Sequence, residues 1–349
     1  MKIISKKRFH TAPKSERRCA MKKIVVASLV LSLLPMACMA QVPEWRPTVV
    51  LKVGYGDGED ELLCAGYRAG GEGEGGGIGG FYVCSDGIFI SDAIRHDVKV
   101  FALSGEYVKA IPAEWDFPSI RVKRNVGAND MVVSGGVIYV MEKFQGPDQF
   151  GVTNSVFTFD FETGEQLERI VIHVPTLGID LEGRRAGTHD LLIVEGEGDI
   201  SIFSHLRQIS YPLVRGGQSV SKEEQLIGTP GIKFGANRIR ANGEAPGYRI
   251  LDGSGTSLVR KCETGYPRVV SPDGNYLLIS TNEAENDSST YSVICDRDCK
   301  RLGSISILAG SRASCFIFGP NELFRFGPDG KLYECFDACD ALYIYLWSN

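Results

Sequence analysis

The chain has 349 residues, 43% hydrophobic and 23% charged, which is the composition of a globular protein long enough to bury a large core. Nine of its 38 Lys and Arg residues, but only one of its 43 acidic residues, lie in the first 40 positions. Residues 41–349 therefore hold 29 basic and 42 acidic residues, a net charge near −13. This acidic balance argues against nucleic acid and anionic membranes as partners.

The first 40 residues have the pattern of an export signal. Met21-Lys22-Lys23 precedes an apolar run from Ile24 to Leu34, and small residues up to Ala40 provide a cleavage site. We predict cleavage after Ala40, with residues 1–20 as an extended basic n-region or a misassigned start. A buried N-terminal helix is the less favoured alternative.

The signal implies a compartment outside the cytoplasm. The run 24–34 is too short to span a bilayer comfortably, and no later segment is apolar enough to cross one. We therefore expect residues 41–349 to be a single periplasmic or secreted domain. Lipid attachment at Cys38 is less favoured, because Pro35 stands where a lipobox prefers Leu.

Strand patterns begin at Thr48–Val53, an apolar segment that we expect to close a ring against the end of the chain. The acidic segment Asp57–Glu61 lacks the ligand spacing of a calcium loop, and we interpret it as a solvated face. Residues 70–80 are mostly glycine and imitate a nucleotide-binding loop. Such a loop needs a following helix, whereas here a strand follows and Glu72 and Glu74 would repel phosphate.

The clearest repeat spans residues 80–111. Four strand-like runs are separated by an Asp86-Gly87 turn, a polar loop and a Ser104-Gly105 turn. Later turns recur at about 40 to 46 residues, which is the period of a propeller blade. Looser copies of the unit occupy 130–172, 190–214, 232–262, 268–307 and 315–347.

Residues 80–111 resemble an NHL-type blade, and Val269–Ser280, with its Ser271-Pro-Asp-Gly274 turn, is similar to the repeat of TolB-like propellers. The resemblance implies an all-β fold, a β-propeller of about six four-stranded blades. We predict this fold for residues 41–349. Five or seven blades, or a pair of β-sandwiches, are the alternatives.

Eight cysteines follow the signal, an even number that favours disulfides in an exported chain. Two pairs share one local form, Cys295-Asp-Arg-Asp-Cys299 and Cys335-Phe-Asp-Ala-Cys339, and each could clamp a hairpin. A zinc site is less favoured, because this spacing is not that of a zinc ligand pair and no histidine is near. The remaining candidates are Cys64 with Cys84 and Cys262 with Cys315.

Two groups of polar residues are candidate ligand-binding sites. One is a loop between the second and third strands of the first repeat, which would lie on a rim of the propeller. The other stands at the start of innermost strands, where polar side chains would converge on the central channel. Solvated turns and channel-lining polar groups are the alternative interpretations. The residues are Arg95, His96 and Asp97 for the loop, and Asn129, Asp130, His189, Asp190 and Arg268 for the channel.

The sequence contains no Gly-x-Ser-x-Gly elbow and no His-Glu-x-x-His helix, so common hydrolase signatures are absent. The favoured interpretation is a non-catalytic binding scaffold at the cell envelope, with a protein, peptide or glycan as ligand and no cofactor. The alternative is a calcium-dependent hydrolase or lactonase with its site in the channel. Propeller lactonases hold calcium with acidic and Asn side chains at such positions, and the resemblance implies this ion only for the alternative.

Overall fold

The structure is a computed structural model. It describes residues 45–63, 78–92, 95, 97–112, 127–146, 149–152, 155–174, 190–204, 207–234, 236–241, 248–251, 257–258, 266–271, 273–281, 290–296, 300–307, 324–337 and 341–348. Residues Pro43–Asn349 form one compact unit. Among the described residues no helix is long and apolar enough to cross a membrane.

The first three sheets use the chain up to residue 230. Sheet 1 contains β2 (Ile78–Cys84), β3 (Gly87–Asp92), β4 (Asp97–Phe101) and β5 (Tyr107–Pro112). Sheet 2 contains β6 (Gly127–Ser134), β7 (Val137–Gly146), β9 (Ser155–Asp160) and β10 (Gln166–Val171), with β8 (Gln149–Val152) paired to β7. Sheet 3 contains β11 (Asp190–Gly196), β12 (Asp199–Ser204), β13 (Ile209–Arg215) and β14 (Gln218–Ser219), with β15 (Thr229–Pro230) also on β13.

The other three sheets use the rest of the chain and its first strand. Sheet 4 contains β16 (Ile232–Phe234), β17 (Asn237–Ala241), β18 (Tyr248–Leu251) and β19 (Ser257–Leu258). Sheet 5 contains β20 (Tyr266–Val270), β21 (Tyr276–Thr281), β22 (Thr290–Asp296) and β23 (Arg301–Ile307). Sheet 6 contains β24 (Phe324–Phe326), β25 (Leu332–Asp337), β26 (Ala341–Ser348) and β1 (Arg46–Gly54).

This arrangement is a β-propeller. Successive strands of each sheet pair antiparallel, and β1 is added at the outer edge of sheet 6. The inner strands, which are β2, β6, β11, β16, β20 and β24, face a common centre. The expected ring closure is confirmed, because β1 pairs with β26 from Arg46↔Ser348 to Gly54↔Ala341. The predicted all-β propeller of four-stranded blades is therefore correct.

Apolar side chains fill the spaces between successive sheets. Alternation along each strand sends side chains to both faces, so a blade buries both of its surfaces against its neighbours. Phe89 of sheet 1 packs with Met131 and Phe157 of sheet 2, and Leu51 of β1 packs with Phe81 and Ile90 of sheet 1. All but Leu51, at 5%, are no more than 2% exposed.

Glycine is required where hairpin turns adopt left-handed backbone. Gly105 has φ +90°, and a Cβ added there would lie 2.4 Å from the carbonyl oxygen of Val50 in β1. Gly135 has φ +59°, but a Cβ added there would meet nothing within 4 Å. The Ser104-Gly105 turn therefore does more than reverse the chain, because it also sits tightly against the closing strand of sheet 6.

Two local features were not predicted from the sequence. A turn at Gly327–Gly330 joins β24 and β25. A single helical turn, α1 (Lys222–Gln225), interrupts the outer edge of sheet 3 and begins with a Ser221–Glu224 capping box. Four residues give too short an apolar pattern for this helix to be recognised in the sequence.

The side chain of Gln225 ties α1 to the outer strand of sheet 2. Its Oε1 accepts a hydrogen bond from His173 N at 2.9 Å, and its Nε2 donates one to Val171 O at 3.1 Å. Gln225 is only 3% exposed, so this amide replaces a missing strand partner at the edge of β10.

Candidate functional site

A concave site lies at the centre of the propeller, and we call it the central pocket. Each of the six sheets contributes its inner strand to the described lining, which is mostly aliphatic. About 510 Å³ of space, including solvent at the mouth, is left empty. The described lining residues are Tyr82, Val132, Leu191, Leu192, Ile193, Val194, Ile232, Val269, Val270, Arg325 and Phe326.

A buried ion pair lies beside the central pocket, and its Arg325 member lines the pocket. Asp130 of β6 is fully buried and its Oδ1 contacts Nη2 of Arg325 in β24, whose side chain is 7% exposed. Asp130 Oδ2 accepts a hydrogen bond from Leu192 N in β11 at 2.7 Å, and Oδ1 accepts one from Met131 N at 2.8 Å. One carboxylate therefore joins the inner strands of sheets 2, 3 and 6.

The electrostatics of this ion pair follow from its burial. Burial raises the pKa of Asp130, while the Arg325 guanidinium and the Leu192 and Met131 N–H groups oppose that rise. Burial also raises the pKa of Tyr82, which lies beside the ion pair. The Arg325 guanidinium stands 5.9 Å from the ring centre of Phe81, a cation–π contact that further fixes it.

Asp130 does not offer the free oxygens that a calcium ligand needs. Both of its oxygens accept hydrogen bonds, and one faces a guanidinium. A divalent cation would have to displace these donors and stand beside Arg325. In the described part of the chain there is no group of three His, Cys, Asp or Glu side chains arranged to hold a metal.

The other predicted channel residues are placed by their strands. Asn129 lies on β6 beside Asp130, Asp190 begins β11, and Arg268 lies on β20, all of them inner strands. His189 lies outside the described residues. Of the channel set, Asp130 is the residue whose described side chain contacts the pocket lining, through Leu192 and Arg325.

The described residues of the predicted loop site, Arg95 and Asp97, make contacts within the fold. Arg95 donates from Nη1 to Gly58 O and from Nη2 to Gly56 O, both at 2.6 Å. Its own N–H bonds to Asp92 Oδ1 at 3.0 Å, which fixes the turn. These bonds fasten residues 55–62 to sheet 1, so Arg95 holds the fold together and presents its charge to main-chain carbonyls.

Asp97 lies beneath the same segment. Its Oδ2 is 3.3 Å from Nζ of Lys99, which is 1% exposed and donates to Glu59 O at 2.6 Å. Burial raises the pKa of Asp97, and Lys99 opposes the rise. His96 lies outside the described residues, so the structure places Arg95 and Asp97 together but shows nothing of the histidine.

The acidic segment Asp57–Glu61 folds on itself. Glu61 Oε2 accepts a hydrogen bond from Gly58 N at 2.8 Å, and Leu62 inserts into the core with no exposure. Residues 70–77 of the glycine-rich run lie outside the described residues.

The cysteines are described in part. Cys295 on β22 and Cys335 on β25 are buried next to the segments that the predicted clamps would cross. Cys84 Sγ lies 3.8 Å from Asp86 Oδ2, and burial raises the pKa of this thiol to about 11. The predicted partners Cys64, Cys299 and Cys339, and both members of the pair Cys262 and Cys315, lie outside the described residues, so the pairings stay predictions.

Sequence reasoning missed Arg325 and Tyr82, the two titratable side chains in the described lining of the central pocket. Arg325 stands between two phenylalanines in a short strand, and such a pattern gives no sign that the charge meets Asp130 from 195 residues away. Tyr82 stands in the apolar run that predicted β2. The sequence shows the tyrosine but does not show which residues surround its side chain in the fold.

Comparisons with known proteins give fold-level similarity only. No family model matches the chain, and no curated protein matches it. A soluble aldose sugar dehydrogenase from Escherichia coli is 11% identical, covers 87% of this chain and 99% of its own, and gives a TM-score of 0.44. A glucose dehydrogenase is 11% identical over 76% of this chain and 94% of its own, also with a TM-score of 0.44.

A protein of unknown function from Bacteroides thetaiotaomicron is 12% identical, covering 87% of this chain and 76% of its own, with a TM-score of 0.44. At these values the similarity says nothing about function, and the propeller assignment depends on the strand order given above.

Proposed function

We propose that this protein is an exported six-bladed propeller that binds a ligand in its central pocket without catalysing a reaction on it. Each sheet would be one blade, in accord with the six described sheets. The export signal, the disulfide staples and a place at the cell envelope come from the sequence pattern. The ligand would be a protein, peptide or glycan of that compartment.

The chemistry of the pocket lining carries the proposal. Tyr82 and Arg325 are the titratable side chains in its described lining. Burial raises the pKa of Tyr82, so the phenol keeps its proton at neutral pH, and arginine stays protonated in proteins. Neither group can serve as a general base, whereas apolar walls with a few polar groups suit binding.

The calcium-dependent alternative is less well supported. It would require Asp130 to ligate the ion, but that carboxylate is committed to Arg325, Leu192 and Met131. Lactones and esters would then need another source of activated water that the described lining does not offer.

The test is an activity and melting experiment on the protein purified after expression of the full chain. We expect no turnover of lactone or ester substrates and the same melting temperature in calcium and in chelator. Hydrolysis that disappears in Asp130→Ala, or a melting temperature that rises with calcium, would contradict the proposal in favour of the alternative. Intact mass would show whether the chain begins at Gln41, and thiol counting before and after reduction would test the staples.

A further inference from the structure

The inner strands around the central pocket differ in length. The inner strand of sheet 4, β16, and that of sheet 6, β24, have three residues each, whereas the inner strand of sheet 3, β11, has seven. Part of β11 therefore has no strand of equal length beside it. Four consecutive residues, Leu191–Val194, line the pocket. Because neighbouring side chains of a strand point to opposite faces, lining by all four shows that the edge of β11 itself borders the pocket.

The direction of the main-chain groups on this edge follows from the pairing with β12. Leu192 stands opposite Ile202, yet its N–H bonds to Asp130 in sheet 2. In an antiparallel pair, a residue that points one main-chain group away from its partner points both away, and so does the residue two positions along. Leu192 and Val194 thus direct their N–H and C=O groups toward the centre.

Two of these groups are available to a ligand. Asp130 occupies the N–H of Leu192, while the C=O of Leu192 and the N–H of Val194 make no hydrogen bond to another described residue. An acceptor and a donor then lie next to each other along one strand edge. The N–H and C=O of one residue of an added parallel strand satisfy this arrangement.

We infer that the central pocket binds an extended peptide segment, which adds to the β11 edge through Leu192 O and Val194 N. This inference deepens the proposed binding function and depends on it. Main-chain hydrogen bonds would hold the segment, and alternate side chains would meet the aliphatic wall formed by Ile232, Val269 and Val270.

The charge of the pocket narrows the peptide further. Asp130 neutralises Arg325, so the described lining presents no net charge. The inserted side chains are therefore uncharged and apolar, because a buried charge without a partner would be costly. A glycan is the less suitable ligand, since the described lining has no amide or carboxylate side chain to bond its hydroxyls and Phe326 is 2% exposed.

The experiment begins with a phage-displayed library of random linear peptides selected on the protein purified from expression of the full chain. We expect enriched sequences with apolar residues at alternate positions. Selected peptides are synthesised with one backbone N-methyl group at each position in turn. One or two of these should bind about tenfold more weakly, the loss expected from one blocked hydrogen bond in a buried site.

A matched pair of variants tests the strand edge directly. Val194→Pro removes the N–H that faces the pocket and leaves the pairing with β12 intact, whereas Val194→Ala keeps the N–H and trims the side chain. We expect Val194→Pro to bind peptide about tenfold more weakly than Val194→Ala. Equal binding by the two folded variants would overturn the inference. If Val194→Pro does not fold, the N-methylated peptides provide the test. Equal binding of the wild-type protein by peptides methylated at every position in turn would overturn the inference.

Two further readouts separate this inference from the proposed function. Val270→Trp fills the pocket, so selected peptides should no longer bind it. Undiminished binding would place the peptide elsewhere, overturning the inference while a binding function survives. Failure to select any peptide would likewise reject the inference. Mass spectrometry of the peptides after incubation tests the proposed function separately. Cleavage of a peptide that binds in the pocket would contradict the non-catalytic function but not the binding site.

Discussion

Replacing Arg325 with Met should strongly destabilise the protein, because it leaves the Asp130 carboxylate buried without a cation. Asp130 is 0% exposed and would keep two N–H donors, Met131 N at 2.8 Å and Leu192 N at 2.7 Å. Breaking a buried ion pair from one side typically costs about 3–5 kcal/mol of unfolding free energy. This carboxylate joins β6, β11 and β24, so its unpaired charge would weaken the contact among all three inner strands.

The pH dependence of this loss has a definite sign. Burial already raises the pKa of Asp130 above its ordinary value of 3.8, and removal of Arg325 removes the main opposing effect. A raised folded-state pKa contributes stability below the unfolded value that disappears as the pH rises through the folded value. The deficit of Arg325→Met should therefore be smallest near pH 4 and should grow toward neutral pH.

Urea unfolding followed by circular dichroism, with a common m-value, measures these differences. The double variant Asp130→Asn with Arg325→Met removes both charges and should be less destabilised than the sum of the two single variants. Lys331→Met, which breaks an exposed pair with Asp329, should leave the midpoint unchanged and serves as the control. A loss below about 1 kcal/mol for Arg325→Met, or strict additivity, would refute the argument.

Three other predictions concern the scaffold. Gly105→Ala should cost well over the roughly 1–2 kcal/mol of left-handed strain expected for Gly135→Ala, because its Cβ also meets main chain; equal midpoints in urea would contradict this. Gln225→Ala should cost about 1–3 kcal/mol by leaving Val171 O at the end of β10 and His173 N beyond it without these partners. Gln225→Glu keeps the acceptor for His173 N but sets a buried carboxylate against Val171 O, so it should cost at least as much. Because burial raises the pKa of Asp97 above 3.8, the wild type should lose stability relative to Asp97→Asn as the pH rises from about 4 toward 7. The opposite slope in paired urea titrations would show that the Lys99 contact dominates instead.

Local signals in the sequence predicted the architecture well. Turn dipeptides such as Asp86-Gly87 and Ser104-Gly105 depend on backbone conformation alone, and the structure places hairpin turns at both. The closing segment Thr48–Val53 was visible because an isolated apolar strand needs an edge to pair with, and β26 provides it.

The central pocket could not be predicted in the same way, because its features depend on partners distant in the chain. The sequence pointed to Asp130 as a candidate ligand-binding residue of the channel, but it could not show which groups surround its carboxylate. Arg325 and Leu192 determine its actual environment, and each comes from another sheet. The inner strands β16 and β24 have only three residues each, and sequence patterns define such strand lengths poorly.

The pairing of β1 with β26 makes the two ends of the described chain part of one blade. During synthesis, Leu51 and Val53 of β1 have no strand partner until β26 has been made. The contact spans about 300 residues, so ring closure is a late and slow event in folding. A stop codon within Ala341–Ser348 would leave an open ring with an unpaired edge.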